Sequence, residues 1–311
     1  MKTAYLILAH NNPNHLGELI KAVSSQRSTC FVHVDNKSEE QDFLHISGPD
    51  VLFSDKRVAV HWGDFSIVEA TLILIRQALS HPRCFERLVL SSGVDYPLRS
   101  AGEIDTFFQE HPLDEFINIV QMPAKTERKP MWRLTTHRFS SPGDPFMKKL
   151  IRKIGAGTGF GRVLRTRAYQ KHFRGLTPYA GDQWWALTRD ACKYILDFIE
   201  KEPAIYKFFR NTRCPDEMFF QIILGNSFFK EKMCRNLTYA DWGGIVSSHP
   251  ARISEEHIHE LFSSGLSFSS EDWYGPGPIL FARKFSDDQN CLIRSVNQLI
   301  ALREANYQIS I

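Results

Sequence analysis

Two adjacent carboxylates, Asp216 and Glu217, stand directly behind Pro215 and in front of an apolar run from Met218 to Leu224. Proline suits the first turn of a helix, and acids there face free backbone N–H groups. The pair is therefore expected at a helix N-terminus, with Met218 to Leu224 buried behind it. A carboxylate fixed on a rigid helix start beside a cavity is placed to act as a general base. The plainer alternative is that both acids cap the helix. A second pair, Arg283-Lys284, sits within Phe281-Ala282-Arg283-Lys284-Phe285. Adjacent cations among aromatic and apolar residues suit a diphosphate, Arg through a forked contact and Lys as a point charge. The alternative there is an edge strand bearing two solvated cations.

The elements that must position these groups read as an α/β pattern. Tyr5 to Ala9 is a continuous apolar run of strand length, as in buried parallel strands. A helix from His15 to Ser24 and a strand from Cys30 to Val34 follow, giving the strand–helix–strand start of a nucleotide-binding sheet. Ligands gather at the carboxyl ends of such strands, which singles out Asp35. A second acid, Asp95, follows the run Leu88 to Ser92. No G-x-G-x-x-G follows the first strand, which counts against an ordinary NAD site. Further strands are expected at Val51–Phe53, Val58–Val60 and Phe116–Val120, and helices at Ile67–Leu79, Asp190–Glu200 and Cys291–Ala305. In Gly181-Asp182-Gln183-Trp184-Trp185 the two tryptophans must point to opposite faces if the segment is a strand. One can then pack inward while the other lines a cleft.

The composition is that of an ordinary globular chain of 311 residues, read as one domain. A net charge of +3 is too small to argue for nucleic acid or membrane by itself. The 23 Phe and 6 Trp suit a large core and a stacking cleft for sugars. None of the six cysteines forms a C-x-x-C pair. Cys30, Cys84 and Cys192 read as reduced core residues, which favours a reducing compartment. The first apolar run is too short to span a bilayer and lacks a signal-peptide pattern, so a cytoplasmic location is expected.

The stretch Met147 to Arg174 carries Lys and Arg but no acid, and residues 147–175 are expected to form a flexible basic insertion. It is either a solvated surface or a patch that steers an anionic acceptor or touches lipid at a membrane periphery. Its glycines, Gly155 to Gly161, lack a preceding strand and a Gly-Lys-Ser/Thr ending, so they are not a phosphate loop.

Taken together and in order, the motifs resemble glycosyltransferase family 14, the core-2/I-branching β-1,6-N-acetylglucosaminyltransferases and peptide O-xylosyltransferases. The residues that carry the resemblance are His33-Val34-Asp35-Asn36-Lys37-Ser38, Trp62-Gly63-Asp64-Phe65-Ser66, Ser92-Gly93-Val94-Asp95-Tyr96-Pro97-Leu98, Gly181 to Arg189, Cys214-Pro215-Asp216-Glu217 and Phe281 to Phe285. The resemblance implies a GT-A-type fold and transfer of GlcNAc or xylose from a UDP-sugar, with inversion and without a divalent metal. The sequence adds that no Asp-x-Asp stands at a strand end. By the family pattern Glu217 is the base, leaving Asp216 as the helix cap. Asp35, Trp62 and Gly63 hold the uridine, Arg283 and Lys284 carry the diphosphate charge, and Asp95 and Trp184 line the sugar or acceptor site. Asp182 and Gln183 fall in the same cleft. No cofactor is expected, and the partners implied are a UDP-sugar and a glycan or glycolipid acceptor.

Two positions depart from the pattern, with Cys214 and Asp182 each standing where the family has Ser. Animal members carry anchors and disulfides that this sequence does not display, which points to a bacterial-type relative. Two other readings compete with this one. The first is a metal-dependent or retaining transferase with Asp95 or Asp182 as a ligand. The second is a protein that binds nucleotide or carbohydrate without turnover.

Overall fold

The structure is a computed structural model and describes residues 1–124, 129–138, 166–243 and 249–309, with side chains to residue 305. Strand β1 (Thr3–Ala9) is buried along its whole length, as its unbroken apolar run requires. It pairs in parallel with β2 (Ser28–Val34) and with β4 (Arg87–Ser92). Strand β3 (Val51–Phe53) extends the parallel set beyond β2. Three more strands complete this sheet: β6 (Glu115–Ile117), β9 (Trp185–Thr188) and β10 (Met233–Cys234). Among the described residues the order is β10-β6-β9-β4-β1-β2-β3, with β9 running against both neighbours.

Alternation along β1 divides the core into two layers. Ala4, Leu6 and Leu8 face the helices Ser66–Ser80, Arg189–Lys201 and Phe219–Gly225. Tyr5, Ile7 and Ala9 face the helices Pro13–Val23, Ala101–Glu110, Glu255–Ser263 and Asn290–Ile309. The helix at Ala101 begins on a Ser100–Glu103 capping box, as its sequence suggests. This is the α/β class expected, with helices on both faces of a mostly parallel sheet.

A small sheet forms beside the carboxyl ends of the parallel strands. It holds β5 (Asp95–Pro97), β11 (Thr238–Ala240) and β14 (Phe281–Arg283), in the order β11-β14-β5. Its register sets Arg283 opposite Asp95. Two short pairs remain: β7 (Val120–Gln121) with β8 (Tyr179–Ala180), and β12 (Ser267–Phe268) with β13 (Gly277–Pro278).

Several expectations are corrected. Val58–Val60 is loop, because its backbone serves a turn: the Val58 N–H donates to His33 Nε2 and the Val60 N–H to Asp35 Oδ1. The expected strand Phe116–Val120 is broken at Asn118, whose buried amide is spent on other segments. Cys84 is exposed in a turn at φ 50°, whereas Cys214 is buried. Residues 147–165 of the basic insertion lie outside the described residues. In its later part Lys171 and Arg174 are exposed, as a solvated surface would have them, but Arg167 is packed. Arg167 is buried over the Phe208 ring at 3.6 Å and donates to the Leu134 and Phe208 carbonyls at 2.9 and 3.0 Å. Among the described residues no helix is long and apolar enough to cross a membrane.

Candidate active site

The carboxylate pair sits on a single 3-10 turn, Pro215–Glu217, entered from Cys214 in the left-handed region at φ 49°. The following helix starts only at Phe219, and no side chain caps either element. The expected role of Asp216 as helix cap is therefore wrong. The tight turn ends before the helix begins, and the residue at the helix N-cap is Met218. The apolar run does what was expected: Met218 to Leu224 are all buried.

Two neighbours fix this turn in space. The Gly63 carbonyl accepts from the Cys214 N–H at 3.0 Å, tying the Trp62–Gly63 loop to it. Gly63 itself has φ 64°, which favours glycine at that corner. On the other side the Gly181 N–H donates to the Glu217 carbonyl at 2.8 Å. A Cβ on Gly181 would lie 1.7 Å from the Asn118 carbonyl oxygen, so no larger residue fits the approach.

Glu217 is clamped by two cations. Lys129 Nζ lies 2.6 Å and Arg133 Nη1 2.5 Å from its Oε2. Both contacts fall on the same oxygen, which leaves Oε1 outside the clamp. Burial alone would raise the Glu217 carboxyl, but the charges of Lys129 and Arg133 outweigh it and hold it below its ordinary value. Lys129 and Arg133 were not singled out from the sequence. Their separation by four residues, on either side of Trp132, was the available signal. Lys129 also lies 3.7 Å from Asp182 Oδ1.

Two cavities meet at Glu217. The first, of about 440 Å³, lies at the carboxyl ends of β1, β2 and β4 and is lined by Asp35, Trp62, Gly63, Asp182, Gln183, Trp184, Glu217, Arg283 and Lys284. The structure thus brings together every candidate site residue except Asp95. The second, of about 470 Å³, has an aromatic wall of Trp62, Trp132, Tyr239, Trp242, Phe268, Trp273 and Tyr274. Trp62, Asp182 and Glu217 line both. Apart from Trp62, that wall escaped the sequence reading, because its members come from segments far apart in the chain.

The first cavity sets two cations, Arg283 and Lys284, on one wall among several carboxylates. Arg283 is buried, its guanidinium carbon stacked 3.9 Å from the Trp184 ring centre. Its Nε and Nη1 have no hydrogen-bond partner among the described residues. Asp95 is 3.6 Å away, too far for a hydrogen bond. Burial pulls the Lys284 ammonium below its ordinary value, and the adjacent Arg283 cation adds to this. Two neighbouring cations with spare donors form a site for an anion. Trp185, the other member of the tryptophan pair, is buried against Phe220, so the expected division of the two faces is observed.

Asp95 is corrected from a cleft residue to a buried support. It is 1% exposed and accepts from Ser91 Oγ, the Ser92 N–H and Ser92 Oγ at 3.0, 2.8 and 2.7 Å. Its place opposite Arg283 in the small sheet orients that side chain from behind. Asp35 does reach the first cavity, but both its oxygens are occupied. Oδ1 accepts from the Lys37 N–H at 2.9 Å, and Oδ2 pairs with Lys37 Nζ at 2.9 Å.

Asp216 lines the first cavity, and its Oδ1 has no hydrogen-bond partner among the described residues. Burial and the neighbouring Glu217 carboxylate push it up to about 7. Between the unfolded value near 3.8 and that folded value, the folded chain holds a proton the unfolded chain has released. Stability from this group is therefore lost as pH rises through the window. Asp216→Asn removes the dependence. Its stability relative to the native chain should rise by on the order of a few kcal/mol between pH 5 and pH 8. Urea midpoints at the two pH values check this, and a difference independent of pH would contradict it.

Known proteins resemble this chain in sequence, some over most of its length and some over a third of it. Human xylosyltransferase 2 is 24% identical over 307 residues, covering 93% of this chain and 32% of that protein. Rat β-1,3-galactosyl-O-glycosyl-glycoprotein β-1,6-N-acetylglucosaminyltransferase 3 is 28% identical over 106 residues, or 32% of this chain and 24% of that one. The chain spans about a third of the length of the xylosyltransferase it matches. Mouse xyloside xylosyltransferase 1, in its apo form, aligns at a TM-score of 0.38 with 11% identity, covering 93% of this chain and 99% of that chain. The family described as "Branch: Core-2/I-Branching enzyme" matches residues 3–264, and the chain belongs to it.

Proposed function

We propose that the chain is an inverting glycosyltransferase that moves a sugar from a UDP-sugar to a hydroxyl of a glycan or glycolipid without a divalent metal. The observation that carries this reading is the place of Glu217, at the seam between the cavity that holds Arg283 and Lys284 and an aromatic one. The nucleotide diphosphate occupies the first cavity against Arg283 and Lys284. An acceptor sugar stacks in the second, where rings offer apolar faces to its C–H groups. The acceptor hydroxyl then approaches the anomeric carbon beside Glu217 Oε1.

The step is a single displacement. The acceptor oxygen bonds to the anomeric carbon as the bond to the β-phosphate oxygen breaks. The transition state has the oxocarbenium character general to glycosyl transfer. The hydroxyl proton passes to Glu217, and the electron pair leaves with UDP, whose charge meets Arg283 and Lys284. Attack opposite the leaving group turns an α-linked donor into a β-linked product. The names of the relatives support xylose or GlcNAc as the transferred sugar. The experiment is donor hydrolysis or transfer in excess EDTA, with the configuration of the product read directly. Loss of activity on metal removal would favour the metal-dependent alternative.

A further inference from the structure

Asp182 is where this chain departs from the family pattern beside the seam, and its surroundings are built to hold it. The Asn118 side chain is buried and both ends of its amide are used. Its Nδ2 donates to Asp182 Oδ2 at 2.7 Å, and its Oδ1 accepts from the Asn236 N–H at 2.8 Å. The Asp182 carbonyl accepts from Gln221 Nε2 at 2.7 Å, and the preceding Gly181 is wedged against Asn118. The carboxylate thus has one oxygen locked and the other turned to the seam, where Lys129 approaches no closer than 3.7 Å. The next residue, Gln183, has a buried Nε2 with no hydrogen-bond partner among the described residues and lines the first cavity. An acceptor oxygen that faces Lys129 only at ion-pair distance and a donor beside it match the two hydrogen-bonding roles of sugar hydroxyls.

We propose that Asp182 is the residue that selects the transferred sugar, accepting a hydroxyl hydrogen of a neutral sugar through Oδ1 and excluding uronic acids by charge. This rests on the first cavity being the donor site. The family's Ser would offer a hydroxyl with no charge, so the exclusion is a property of this chain.

The test is calorimetric titration in EDTA with UDP, UDP-GlcNAc, UDP-xylose and UDP-glucuronate, on the native chain, Asp182→Asn and Asp182→Ser. Asp182→Asn is nearly isosteric and keeps an oxygen for Asn118, so its melting temperature serves as the folding control. For the better-bound neutral donor, affinity relative to UDP should fall about 10–100-fold in both variants, the effect of losing a hydrogen bond to a charged group. UDP itself should shift less than about twofold, since it does not reach that carboxylate. UDP-glucuronate should bind the native chain more weakly than UDP and gain relative to UDP in both variants. Equal losses for UDP and the neutral donor, or no change in their ratio, would overturn the proposal. Failure of UDP to bind the native chain would instead overturn the donor-site reading, and the proposal with it.

Discussion

Glu217→Gln should lower the turnover number by about 10²–10⁴-fold while UDP affinity stays within about twofold. Glutamine preserves the shape of the side chain and offers an oxygen to Lys129 and Arg133, but it takes no proton. The native carboxylate has one oxygen bound by both cations and the other turned to the seam, so the change falls on proton transfer rather than on assembly of the site. The clamp also fixes the expected pH profile. With Glu217 held below its ordinary value of 4.5, the base stays ionised throughout the neutral range. Turnover limited by this group declines only as pH falls beneath the usual carboxylate range. The clamp costs basicity and gains a fixed orientation and ionisation state. Steady-state kinetics with calorimetric UDP binding check the variant. Retained turnover would remove Glu217 from the mechanism, and lost UDP binding would make it a structural residue.

Arg283→Ala should lower turnover by about 10²–10³-fold and weaken UDP binding with it, because the guanidinium faces charge that grows as the leaving group departs. Lys284→Ala should act in the same direction by about tenfold, as loss of one point charge from the pair. Arg283→Lys should not restore activity. A Lys lacks the planar fork and the face that stacks on Trp184. The two Ala effects should combine less than additively, since both cations serve one diphosphate. Calorimetry with UDP and kinetics with the donor measure both. Unchanged UDP affinity in Arg283→Ala would mean that the nucleotide sits elsewhere.

Local pattern carried much of the architecture. The apolar run of Tyr5 to Ala9 could only be a strand buried on both faces, and it lies at the heart of the sheet. The Trp184-Trp185 pair followed from strand geometry alone: one side chain is packed, the other stacked on Arg283. Asp35 at the end of β2 followed from the rule for ligand sites in parallel sheets. What was not legible depends on contacts between distant segments. Lys129 and Arg133 find Glu217 across more than eighty residues of chain. Asp95 looked like a strand-end ligand residue because sequence cannot show that β14 would cover it. Asp216 looked like a cap because a 3-10 turn and a helix start share the same Pro-acid signature. The aromatic wall is drawn from loops and short elements far apart in the chain, too short to show a periodicity.

The central claim is metal-free transfer with inversion, and the anomeric configuration of the first sugar released tests it most directly. UDP-GlcNAc and UDP-xylose, both α-linked, are incubated with the protein in excess EDTA, with water as acceptor. The anomeric proton of the released sugar is followed by NMR before mutarotation. The account predicts that one of the two donors yields the β-anomer first, at a rate unaffected by EDTA. Initial release of the α-anomer, or turnover abolished by EDTA and restored by a divalent metal, would contradict it.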